Sequence, residues 1–327
     1  MSLREDIIAE ARRRGADDLK FAPVSRFDGV KVQEHPRTLY RNCNTVIALG
    51  FRTLRGSYRG IEEGSTFFHY TTMAVETIEE VIMPQAMLGL ANLVEDAGFT
   101  AVPQKRYQLI MVEEDDTNPE IDYRKIYRGI DQAQLNFVHA AVLCGLGEMG
   151  LSGAVLNRRH GPYYRYCFVL TDAELAPDEM SEPFLCDKCG KCLKACHGNA
   201  FGEIELEDIG GLSTAEVAKR NNWQCAAYNK GANGCKNPFM SPDAYKGLPH
   251  RNEILQAKRQ LTPEEAREIM DKSAFYPLCR HSYVISICGR ACDRACFVHL
   301  SDQGRLEDNF RTLFRVREEW TLEPYLD

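Results

Sequence analysis

Four cysteines fall within eleven residues of "CDKCGKCLKACHGNAF", Cys186 to Phe201. Their C-x2-C-x2-C-x3-C spacing is that of a [4Fe–4S] cluster. The first three thiolates wrap three irons of one cube, and the fourth turns away to ligate a second cluster where two are present. Zinc is the competing ion. Zinc sites pair two knuckles across a longer gap, and three cysteines at this spacing crowd a single tetrahedral ion. A second cluster needs further thiolates. "CGRACDRAC" supplies Cys288, Cys292 and Cys296, and "WQCAAY" supplies Cys225. Two sets follow, Cys186, Cys189 and Cys192 with Cys296, and Cys196, Cys225 and Cys288 with Cys292. Cys235 or Cys279 could replace Cys225, so that position stays open. His197 and His299 either hydrogen-bond to sulfur and tune a potential or are ordinary turn histidines.

The rest of the composition fits metal better than disulfides. The 327 residues include thirteen cysteines, ten of them from Cys186 onward. No secretory or twin-arginine signal opens the sequence, so the expected compartment is the cytoplasm, where thiols stay reduced and clustered ones ligate metal. Cys43, Cys144 and Cys167 sit alone in apolar surroundings and read as core. Hydrophobic residues make up 44% and charged residues 27%, the profile of a soluble globular chain of one large or two ordinary domains. A net charge of −7 argues against a nucleic-acid partner held by a basic face. No apolar run approaches the ~18 residues of a membrane span.

These thiolates need elements to hold them. The first 180 residues read as alternating helices and strands. "SLRE" is a capping box on a helix with Leu3, Ile7, Ile8 and Ala11 on one face. "TVIALGF" (Thr45 to Phe51), "QLIMV" (Gln108 to Val112) and "YYRYCFVLTD" read as strands. Thr71 to Gly98 reads as a helix broken or kinked at Pro84, and "DQAQLNFVHAAVLCGLG" as a helix closed by glycine. The acidic, proline-bearing "DAELAPDEMSEPF" marks a boundary between domains at 1–180 and 181–327. Beyond it, two short helices are expected from Ser213 with Glu216 and from Thr262 with Pro263, and a charged helix near "LEDNFRTLFRVREEW".

The cysteine pattern, "WQCAAY" and "CGRACDRAC" resemble the iron–sulfur half of epoxyqueuosine reductases and respiratory reductive dehalogenases. "AAVLCGLGEMGLSGAVLNRRHGPYYRYCFVLTDAEL", Ala140 to Leu175, is similar to their glycine-rich loop and following strand. The resemblance implies an α+β fold, with a nitroreductase-like corrinoid domain over 1–180 and a bacterial-ferredoxin-like two-cluster domain over 181–327. It implies two [4Fe–4S] clusters and a cobalamin approached closely by Gly145, Gly147, Gly150, Gly153 and Gly161, glycines that could equally make tight turns. It places the proton donor at Asp131, with Tyr127 and Tyr123 as alternatives; Asp131 is also a natural helix N-cap. Arg158 and Arg159 would meet an anionic substrate or simply solvent. The implied partners are an electron donor such as ferredoxin or flavodoxin, a small organic substrate and a second copy of the chain. Two departures stand out. Leu151 and Ser152 occupy the region where epoxyqueuosine reductases carry a lysine, and the last cysteine motif has x3-x3 spacing where x2-x3 is usual. Two further readings remain beside the reductase: an electron carrier or reductive activator, and a corrinoid-binding module.

Overall fold

The computed structural model describes residues 2–105, 133–272, 286–308, 310–315 and 317–322. Among these residues the chain is mixed α/β, and no helix is long and apolar enough to cross a membrane. Among the described residues of the first 180 lie six strands: β1 (Asp18–Pro23), β2 (Thr45–Arg52), β3 (Ala101–Gln104), β4 (Glu148–Met149), β5 (Val155–Leu156) and β6 (Tyr164–Thr171). Four of them form an antiparallel sheet in the order β1–β2–β6–β3, and β4 pairs with β5 in a short ribbon.

β2 is apolar at nearly every position because both faces of the sheet are covered. Val46 and Ala48, with Phe168 and Leu170 of β6, pack against the helix α4 (Phe137–Leu143). The alternate residues Ile47 and Leu49, with Cys167 and Val169, meet α1 (Leu3–Arg13) and α3 (Met83–Asp96). The register pairs Ile47 with Val169 and Ala48 with Phe168, so partners share a face. The capping box at Ser2 and Glu5 forms as the sequence predicts, with both reciprocal bonds present. α2 (Gly56–Glu63) follows β2.

Tyr70–Ile82 is wound as a π-helix, and the Thr77 hydroxyl donates to the Thr72 carbonyl five residues back at 2.8 Å. The winding changes at Met83, with Pro84 in the first turn of α3, where a missing N–H costs nothing. The expected break at Pro84 is therefore a change of helical register. "QLIMV" lies outside the described residues, and the helix expected from residue 131 starts at Phe137 behind an Asn136 cap.

The acidic segment near 172–184 is not a free linker. Asp178 exchanges hydrogen bonds with Phe21, its N–H donating to the Phe21 carbonyl and its carboxylate accepting the Phe21 N–H, both at 2.9 Å. Beyond it lie a hairpin, β7 (Phe201–Ile209) and β8 (Ser213–Arg220), and the helices α5 (Asn222–Asn229), α6 (Pro263–Lys272) and α7 (Ala291–Asp302). α6 opens at Thr262 as expected, with reciprocal Thr262 and Glu265 bonds. Two expectations fail. Ser213 to Glu216 starts no helix; Gly210 and Gly211, at φ 64° and 70°, turn the chain so that β8 pairs with β7. The described residues of "LEDNFRTLFRVREEW" are not helical either. There Arg55 takes the carbonyls of Thr312 and Leu313, which a helix would need for its own ladder.

Candidate functional site

Glu148 fixes the chain as it enters the cysteine motif. One carboxylate oxygen accepts the N–H of Phe184 at 2.5 Å and of Leu185 at 2.9 Å, and the other accepts the N–H of Cys186 at 2.7 Å. The chain then winds through Lys188 and Gly190, both at positive φ, into a single helical turn, Lys191–Lys194, that carries Cys192. α7 packs against this turn and brings Cys296. Cys186, Cys189, Cys192 and Cys296 line one cavity. Burial pushes the Cys296 thiol up, and Asp293 and the thiols of Cys192, Cys186 and Cys189 push it further. Burial, with Cys186 and Cys189, holds Cys192 up at about 11. A bound cation reverses this balance, because coordinating thiols lose their protons outright.

Cys196, Cys225, Cys288 and Cys292 form a second gathering. Cys225, on α5, is raised by burial, and Cys288 and Cys196 beside it add to that. Cys292, in the first turn of α7, is raised by burial, then by Asp293, Cys288 and Cys225. Charged neighbours of Cys235 are Glu319 and Lys236, and among the described residues no thiol acts on it. Cys279 lies outside the described residues. Cys292 and Cys296 stand one turn apart on the same helix face, so the x3 spacing lets α7 serve both gatherings.

Among the described residues several backbone N–H groups point at sulfur, those of Lys191 toward Cys189 and Leu193 toward Cys192 included. Leu151 donates to Cys186 at 3.3 Å, Ala200 to Cys196 at 3.3 Å and Ala291 to Cys288 at 3.4 Å. At the rim of the first cavity the His299 Nε2 and an Asp187 oxygen lie 2.7 Å apart, and that bond holds the Asp187 carboxyl below its usual range. Asp187, Cys189 and His299 offer donor atoms within 4.8 Å of one another. With the other three thiols alongside, the trio reads as the edge of a larger sulfur site rather than a separate ion site. The Nδ1 atoms of His299 and His197 are buried without a hydrogen-bond partner.

Cys43, Cys144 and Cys167 are fully buried in the two cores that flank the sheet. Asp131, Tyr127 and Tyr123 lie outside the described residues. Arg158 pairs with Glu307 at 3.9 Å and Arg159 with Asp308 at 3.2 Å. Three of the five glycines expected to meet a corrinoid, Gly145, Gly147 and Gly150, are packed tightly against the chain itself. A Cβ on Gly145 would meet the Glu179 carbonyl at 2.4 Å, one on Gly147 the Leu156 carbonyl at 2.3 Å, and one on Gly150 the Leu156 side chain at 2.9 Å. Gly161 lies against Leu306 and Gly153 against Val217. Two clefts, near Arg52 and His160 and near Arg13 and Gln85, enclose about 230 and 380 Å³. Drug-sized ligands occupy ~300–1,000 Å³, and a corrinoid is larger than these. Neither of these clefts is large enough for a corrinoid, while the two thiol sets fit clusters in number and donor chemistry. Glu148 escaped the sequence reading; its only signal was a lone acid in the apolar "GLGEMG".

No model of a known protein family matches the chain. A stretch of 118 residues, 35% of the chain, is 32% identical to the tetrachloroethene reductive dehalogenases of Dehalobacter restrictus and Desulfitobacterium hafniense. A stretch of 67 residues, 20% of the chain, is 41% identical to another tetrachloroethene reductive dehalogenase of Desulfitobacterium hafniense. These matches span 20% and 12% of the relatives' own length. Among solved structures, a reductive dehalogenase associated with B12-dependent dehalogenation aligns over 82% of this chain and 35% of its own, with 14% identity and a TM-score of 0.48. The epoxyqueuosine reductase of Streptococcus thermophilus aligns over 93% of this chain and 83% of its own, with 14% identity and a TM-score of 0.43. The chain resembles these two groups of reductases.

Proposed function

We propose that the chain is an iron–sulfur oxidoreductase with two [4Fe–4S] clusters, one held by Cys186, Cys189, Cys192 and Cys296, the other by Cys196, Cys225, Cys288 and Cys292. The observation that carries this reading is the gathering of eight thiols into two sets of four around α7. When bound, such clusters supply one-electron transfer at low potential. The chain's own groups do the rest. The N–H groups of Leu151, Ala200 and Ala291 stabilise negative charge on sulfur and so set the potential. Glu148 holds the entry to the first set, and Asp293 with Arg290, 2.5 Å apart, braces the start of α7. The sequence likeness to tetrachloroethene reductive dehalogenases supports a small organic molecule as the species finally reduced, and the donor in this reading is a ferredoxin or flavodoxin. Iron and acid-labile sulfide analysis of anaerobically purified protein tests the reading; about eight of each is expected, and four, or zinc in their place, would overturn it.

The packed glycines favour a second reading of the acceptor. The chain would then carry electrons to a partner that holds the corrinoid, in place of a corrinoid of its own. Titration with hydroxocobalamin, followed by absorption, separates the two: a saturable change in the corrinoid bands assigns the cofactor to this chain, and unchanged bands assign it to a partner.

A further inference from the structure

We propose that the cleft beyond the end of β2, lined by Arg55, His160, Tyr163 and Asp308, binds a small hydroxy acid. None of the eight thiols lines this cleft. Three residues lining this one cleft each carry a buried polar atom without a hydrogen-bond partner among the described residues: the Nε of Arg55, the Nε2 of His160 and the hydroxyl of Tyr163. All three residues are buried, Arg55 at 6% exposure and the other two at 2%. Buried polar groups are nearly always paired, so three orphans in one cleft mark a ligand's place.

The chemistry of the three atoms selects the ligand. The other Arg55 nitrogens donate to the carbonyls of Thr312 at 2.7 Å and Leu313 at 2.9 Å, and its guanidinium lies 3.9 Å over the Phe314 ring. Among the described residues no carboxylate pairs with it. Glu62, whose charge reaches it, is bound to Arg59 at 2.9 Å. A buried cation of this kind calls for an anion. The Tyr163 ring is stacked between Tyr58 at 4.2 Å and Phe297 at 4.1 Å, so its hydroxyl cannot swing away. The His160 Nδ1 lies 2.8 Å from an Asp308 oxygen. That contact occupies Nδ1 and leaves Nε2 without a partner among the described residues, so a hydroxyl, which both donates and accepts, can answer it. Two donors and one ring nitrogen that can donate or accept thus belong to residues lining one cleft. A carboxylate answers the Arg55 N–H and the Tyr163 O–H, and a hydroxyl on the same ligand answers His160. The cleft volume of about 230 Å³ limits the ligand to a short acid.

Calorimetric titration of anaerobically purified protein with lactate, propionate, lactamide and inorganic phosphate tests the assignment. Lactate should bind saturably. Propionate, which lacks the hydroxyl, and lactamide, which lacks the charge, should each bind at least roughly tenfold more weakly, since either leaves a buried partner unmet. Tyr163→Phe keeps the ring stack and should weaken lactate roughly tenfold or more while iron content and melting temperature hold; Arg55→Gln should abolish binding. The assignment is overturned by no lactate binding, by equal binding of lactate and lactamide, by tighter binding of phosphate than lactate, or by unchanged affinity in Tyr163→Phe.

Discussion

Glu148 is the residue on which the first thiol set leans most. Its two oxygens accept three backbone N–H groups in a nearly dry setting, at 7% exposure. Glutamine in its place offers one acceptor oxygen and turns an NH2 toward a donor. Glu148→Gln should therefore lower unfolding free energy by about 2–3 kcal/mol, the range for lost bonds to a buried charge, and should loosen the first set's iron. Denaturant melts paired with iron analysis check this; an unchanged melt would show that the three N–H groups find other partners. Cys189→Ala should remove about half of the iron, because a cube keeps its place only with its ligands, whereas Cys144→Ala and Cys167→Ala should leave iron content at the wild-type level. The short, local spacing of the first four cysteines was legible in the sequence, and the structure brings Cys186, Cys189 and Cys192 to one cavity with Cys296. Glu148 was not legible, because its three partners lie about forty residues away in the chain and nothing local records them. The pairing of His160 with Asp308 was hidden for the same reason.

At the scale of elements, the sheet and its flanking helices hold three thiols that have no part in either set. Cys43 precedes β2, Cys144 closes α4 and Cys167 lies in β6. Burial pushes the Cys43 thiol up from 9.0 to about 11, and the other two are raised by burial as well. A folded-state value above the unfolded one means stability that is fully present below pH 9 and is lost as pH rises toward 11. Each such thiol steepens the alkaline loss by up to about 1.4 kcal/mol per pH unit within its window. Cys43→Ala should make the fall shallower by that amount, read from denaturant melts at several pH values; an identical slope would mean that this thiol ionises as easily in the fold as outside it. The strands β2 and β6 and the change of winding at Pro84 were legible because apolar runs and proline act locally. The hairpin of β7 and β8 was not. Ser213 and Glu216 carry a helix-capping signal, but a glycine pair and a partner strand outweigh it. The charged segment after Leu306 lost its expected helix to Arg55, a residue some 250 positions earlier.

Among the described residues there are four buried apolar clusters, and on the proposed reading they would lean on metal to different degrees. Two flank the four-stranded sheet and contain residues up to Ile209. A third joins Tyr58, Tyr70 and Tyr163 to Leu185, Phe297 and Leu300, residues next to the first thiol set and along α7. The fourth, around Tyr228 and Ile269, adjoins Cys225 on α5. Loop-rich segments lean on their metal for folding energy, so removing iron should loosen α7 first. The stack of Tyr58, Tyr163 and Phe297 should loosen with it, because Phe297 rides on that helix. The sheet's own two clusters contain no residue of either set and should persist. Anaerobic chelation should therefore lower the near-ultraviolet dichroism of the aromatic stack while most far-ultraviolet signal remains. Limited proteolysis of the chelated protein should cut beyond about residue 181 before it cuts within the sheet, since cleavage follows the elements that open most easily. A single cooperative loss of both signals, with no amino-terminal fragment surviving, would show instead that the third cluster binds the sheet and the thiol-bearing segment into one folding unit.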